Sequence, residues 1–76
     1  MEKTITLGEA FTQTELDLAG VIYAKYGCRP SKACVEHLVE EVTLPAIARI
    51  NTVTGQENDP GYWAWMLVYA LGKVEV

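Results

Sequence analysis

The chain has 76 residues, half of them hydrophobic, and a formal net charge of −4. A chain this short predicts one domain, residues 1–76, which buries only about 60% of the surface that its unfolded chain exposes. Its two cysteines are too few for a disulfide-rich scaffold, no cationic apolar leader begins the chain, and its longest apolar run is about half the length that crosses a bilayer. We therefore expect a cytoplasmic protein without a membrane role.

The acidic side chains concentrate in the second half of the chain. Residues 1–34 carry four acidic and four basic side chains, whereas residues 35–76 carry six acidic and two basic ones. The chain therefore lacks the cluster of lysine and arginine that grips phosphates, and we expect no direct binding to nucleic acid. An acidic surface instead suits a partner protein with a basic surface.

The first predicted elements are two short extended termini and one helix. Polar and apolar residues alternate in Thr4–Leu7 and again in Val74–Val76, which is typical of extended arms. Thr12 and Glu15 have the spacing of a capping box, so a helix should begin there and stop at Gly27. Its apolar stripe is Leu16, Ala19, Tyr23 and Tyr26, widened by Leu18 and Ile22.

A second helix is predicted after the turn at Cys28–Ser31, with Ser31 as its N-cap. Its buried stripe is Val35, Leu38, Val39 and Val42, and three glutamates lie elsewhere on the wheel: Glu36, Glu40 and Glu41. Pro45 removes an amide and crowds the preceding turn, so we expect a break near Thr43 and a short third helix capped by that threonine. A single helix kinked at Pro45 is the alternative.

The aromatic run after the polar loop at residues 54–58 predicts the last helix, which holds both tryptophans. Asp59 and Pro60 are typical of a helix start, and Gly72 of a helix end. One face of this helix should enter the core through Trp63, Met66, Leu67 and Ala70. A neighbouring face carries Tyr62, Trp65 and Tyr69, which either pack beneath another segment or form an interface. Together these elements predict an all-α fold, a small compact bundle of three to four short helices.

The soft metal ligands of the chain are Cys28, Cys34 and His37, and the Glu41 carboxylate would be the fourth ligand of a zinc site. The spacing matches no paired Cys-x-x-Cys pattern, and the chain contains no second histidine. The simpler interpretation makes Cys34 a small buried side chain and His37 an exposed helix residue. We therefore expect no metal and no cofactor, although a metal or thiol-redox protein built on these three residues is an alternative.

No set of residues resembles a catalytic group, because nothing orients a nucleophile or forms an oxyanion site. We therefore expect a protein that is not an enzyme. The leading hypothesis is a small acidic protein-binding module, a regulator or inhibitor such as a phage or plasmid anti-defence antagonist. It would bind through the aromatics Tyr62, Trp65 and Tyr69 and through the acidic residues Glu36, Glu40 and Glu41. The apolar excess also predicts self-association, so a homodimer or larger homo-oligomeric structural subunit is a further alternative.

Overall fold

The computed structural model describes residues 5–74, leaving aside the side chain of Val74. Within that range the chain is helical and contains no strand, so the predicted all-α bundle is confirmed. A π-helical segment at Val39–Thr43 joins α3 directly to α4. The five α-helices are α1 (Leu7–Ala10), α2 (Gln13–Lys25), α3 (Lys32–Leu38), α4 (Leu44–Thr54) and α5 (Pro60–Val74).

Two successive capping boxes begin the fold. At the predicted one, the Thr12 amide donates to Glu15 Oε1 at 2.8 Å, and the Glu15 amide donates to Thr12 Oγ1 at 3.2 Å, which starts α2. Thr6 and Glu9 make the same reciprocal pair and start α1. The predicted extended arm is wrong at Leu7, which begins a helix, and Thr6 is extended only as the N-cap of that helix, whereas Thr4 lies outside the described residues. The second predicted arm is wrong at Val74, which is the last residue of α5, and its other two residues lie outside the described range.

Helix α2 ends at Lys25, close to the predicted stop, and Gly27 follows in the left-handed region with φ 74°. Its buried residues are Ala19, Ile22 and Tyr23. Leu18 is 39% exposed, so the predicted stripe was too wide on that side.

The predicted break at Pro45 is wrong, and the continuous helix is correct. Residues 32–54 stay helical because the π-helical segment supplies a wider turn that accommodates the proline ring. The Leu44 amide donates to the Val39 carbonyl, which also accepts the Thr43 hydroxyl at 3.3 Å. Thr43 is thus a fully buried helical residue and does not cap α4.

The core lies where α5 packs against α2, α3 and the π-helical segment, and α1 covers α4. The predicted stripe of the second helix is confirmed, because Val35, Leu38 and Val42 are buried and Val39 is half-buried. The largest fully buried side chains are Leu38, Val42, Thr43, Cys34, Ile50 and Leu67.

Polar contacts join the end of α1 and the start of α2 to α4, and the loop before α5 to the end of α4. The Arg49 guanidinium on α4 donates to the Ala10 carbonyl at 2.9 Å and pairs with the Glu15 carboxylate. In the loop before α5, the Asn58 amide side chain donates to Asn51 Oδ1 at 3.0 Å and to Thr54 Oγ1 at 2.8 Å. The predicted polar loop is therefore bonded to the end of α4.

No helix within residues 5–74 combines the length and the apolar character that crossing a bilayer requires. The longest of them, α5, has 15 residues.

Candidate functional site

Helix α5 begins as the sequence predicts and ends later. The Gly61 amide donates to Asp59 Oδ1 at 3.3 Å, which caps the helix one residue before Pro60. The predicted end at Gly72 is wrong, because α5 continues to Val74. Gly72 lies within the last turn of the helix, where an added Cβ atom would make an ordinary van der Waals contact with the Tyr23 hydroxyl on α2 at 3.4 Å.

The core face of α5 contains Trp63, Ala64, Leu67 and Val68, all buried. The Trp63 ring meets Phe11 edge to face, with the ring centroids 5.9 Å apart, and its Nε1–H donates to Asn58 Oδ1 at 3.2 Å. Trp63 and Leu67 therefore lie in the core as predicted. The other two residues of the predicted face, Met66 and Ala70, are only half-buried.

Tyr62, Trp65 and Tyr69 form an aromatic face of α5 that is open to solvent. Their exposed fractions are 56%, 51% and 63%, respectively. The interpretation in which these rings pack beneath a neighbouring segment is therefore wrong. Spacings of three and four residues place them along one side of the helix. The Lys73 ammonium lies 4.7 Å from the centre of the Tyr69 ring, a cation–π contact at the end of this face.

An open groove of about 440 Å³ adjoins the aromatic face. It lies within the size range of ligand sites, about 300 to 1,000 Å³. Trp65 and Tyr69 form part of its lining, which is almost entirely apolar. The other lining residues are Tyr23, Pro30, Val68, Gly72 and Lys73.

The acidic residues of α3 and the π-helical segment form a separate surface. Glu36, Glu40 and Glu41 are all exposed, and none of the three lines the groove. They project away from the core because Leu38 and Val42 of the same helical stretch occupy the buried side. The structure thus presents two candidate contact surfaces, one aromatic and one acidic.

Cys28, Cys34 and His37 occupy different environments. Cys34 is fully buried, and burial raises the pKa of its thiol, so the unreactive protonated form is favoured. Cys28 is exposed in the turn after α2, and the two cysteines form no disulfide. His37 is half-buried rather than exposed as predicted, and its Nδ1 lies 3.2 Å from the Tyr26 hydroxyl. Among residues 5–74, no group of three or more His, Cys, Asp or Glu is placed to hold a metal ion.

Comparisons with other proteins identify no relative of this chain. No protein-family model, no curated protein and no solved structure matches it. A functional conclusion must therefore rest on the geometry of its own residues.

Proposed function

We propose that this protein is a small protein-binding module, a regulator or inhibitor, that docks on another protein through its aromatic face. The observation that supports the proposal is the exposure of Tyr62, Trp65 and Tyr69, each more than half open to solvent. Tyrosine and tryptophan are enriched among the residues that dominate binding energy, because they bury a large apolar area and lose little conformational entropy. Tyr62 also meets the Trp63 ring edge to face, with the ring centroids 5.7 Å apart, yet more than half of its surface stays open to solvent.

The acidic residues Glu36, Glu40 and Glu41 supply a second contact, toward a basic area of the partner. Exposed charges of this kind contribute to association rate and to partner choice more than to affinity. A short acidic chain that blocks another protein fits the class of phage or plasmid anti-defence antagonists.

The test compares Trp65→Ala with Val21→Ala, since Val21 is 65% exposed on α2 and does not line the groove. Each variant and the unmodified chain would be immobilised and exposed to an extract of the cells that express this protein. The proteins that each chain retains would be quantified by mass spectrometry. We expect a partner that the Val21 variant retains and the Trp65 variant loses. Titration of that purified partner should show at least a roughly thirtyfold loss of affinity, as for a dominant contact residue. Equal retention by all three chains, with unchanged far-ultraviolet circular dichroism, would contradict the proposal.

A homo-oligomeric structural subunit is the alternative function that the same exposed face favours. Light scattering behind a sizing column, at several loading concentrations, separates the two functions. A stable dimer that Trp65→Ala dissociates would assign the aromatic face to self-association. A monomer at every concentration would leave that face available to another protein.

A further inference from the structure

We propose that the groove beside α5 binds an apolar segment of the partner that is flanked by aspartate or glutamate. This inference rests on the proposed function and adds the chemistry of the bound segment. It is drawn from the distribution of charge around the groove, which is opposite in sign to that of the whole chain.

The only charged residue among those that line the groove is Lys73, which is positive. Its lining residues come from α2, from the turn after it and from α5. Residues 18–35 and 60–74 contain no aspartate or glutamate, although the formal net charge of the whole chain is −4. The acidic residues nearest to these ranges in the sequence are Asp17, Glu36, Asp59 and Glu75. The basic side chains in these two ranges are Lys25, Arg29, Lys32 and Lys73.

Lys73 is the charged residue of the groove lining, and its ammonium lies 4.7 Å from the centre of the Tyr69 ring, which also lines the groove. At the turn, Pro30 lines the groove, and the residue before it, Arg29, is exposed. A bound segment therefore meets an apolar lining with the Lys73 ammonium beside it and an exposed arginine next in sequence to Pro30, which is complementary to apolar anchors with carboxylates beside them.

A segment flanked by lysine or arginine would be repelled by the same basic side chains. A second copy of this chain is a poorer match, because a symmetric contact through the same face would bring the Lys73 side chains of both copies together. The acidic segment of another protein is therefore the occupant that we infer.

The experiment uses the full chain and a displayed library of random short peptides. Peptides selected on the unmodified chain are screened again on Trp65→Ala, and those that lose binding are sequenced as groove ligands. We expect them to carry apolar anchors and an excess of aspartate and glutamate over lysine and arginine. Lys73→Glu should weaken their binding about fivefold, the scale of one exposed charge pair.

A matched control adds the same negative charge elsewhere. Gln56→Glu lies in the exposed loop before α5, outside the groove lining, and should leave peptide binding unchanged. Trp65-dependent peptides that are neutral or basic, or that bind Lys73→Glu and Gln56→Glu equally well, would overturn this inference and leave the proposed function standing. If no selected peptide depended on Trp65, both proposals would fail. Circular dichroism of each variant establishes that it is folded.

Discussion

Trp63 and Trp65 lie two residues apart on the same helix, and their surroundings are opposite. Trp63 is 5% exposed, contacts Phe11 and donates its indole N–H to Asn58. Trp65 is 51% exposed and lines an open groove. Two residues along an α-helix correspond to a rotation of about 200°, so one ring enters the core and the other faces outward. The comparison teaches that α5 holds the fold together with one side and leaves the other side available for binding.

The largest expected effect comes from truncating each tryptophan in turn. Trp63→Ala should lower the free energy of unfolding by about 3 to 5 kcal/mol, because it leaves a cavity in the core and an orphaned acceptor on Asn58. In a chain of this length, that is a large part of the total stability. Trp65→Ala should cost less than about 1 kcal/mol, as expected for a surface residue. Urea denaturation followed by circular dichroism measures both, and equal losses would remove the distinction between the two faces.

A smaller effect should follow from removing the hydrogen-bond partner of Trp63. Asn58→Ala deletes an amide that bonds Trp63, Asn51 and Thr54, so we expect a loss of about 1 to 3 kcal/mol. Gln56→Ala is the matched control in the same loop. Thr54 and Asn58 donate to the backbone carbonyl of Gln56, which the substitution keeps, so stability should change by less than about 0.5 kcal/mol. If Asn58→Ala lowered the free energy of unfolding no more than Gln56→Ala does, the core face of α5 would not depend on the hydrogen bonds of Asn58.

The smallest effect concerns Cys34, which lies on the buried side of α3. Burial raises the pKa of its thiol, so the folded state holds that proton at a pH where the unfolded chain has released it. The free energy of unfolding therefore keeps its full value below the ordinary thiol pKa, near pH 8.5. It falls as the pH rises from there toward the raised pKa of the folded state. The loss cannot exceed about 1.4 kcal/mol per pH unit.

Urea denaturation between neutral and alkaline pH measures that slope. Cys34→Ala should reduce the decline in stability with pH. Equal slopes for the Cys34 variant and the unmodified chain would show that the buried thiol does not contribute.

Local signals in the sequence predicted most of the fold. Capping residues and apolar periodicity located the starts of α2, α3 and α5 because each depends on residues within one or two turns. The same capping-box spacing at Thr6 and Glu9 could have revealed α1. The continuous helix through Pro45 was predicted only as the alternative, because a widened turn leaves no distinct local pattern and its stability comes from packing of Val42 and Thr43 in the core.

The candidate site was less accessible to sequence reasoning. Helical spacing grouped Tyr62, Trp65 and Tyr69 on one side, but their exposure depends on where the other helices lie. Tyr23 and Pro30 reach the groove from other parts of the chain, so no short pattern connects them with α5. The contact between Tyr26 and His37 likewise joins residues 11 positions apart across a turn.

The most direct measurement is acrylamide quenching of fluorescence in two single-tryptophan chains. The protein contains two tryptophans, so Trp63→Phe leaves only Trp65 and Trp65→Phe leaves only Trp63. We predict that Trp65 is strongly quenched at every protein concentration and that Trp63 is protected until the chain unfolds. Protection of Trp65 to the same degree as Trp63 would contradict a helix with one side in the core and the other available for binding.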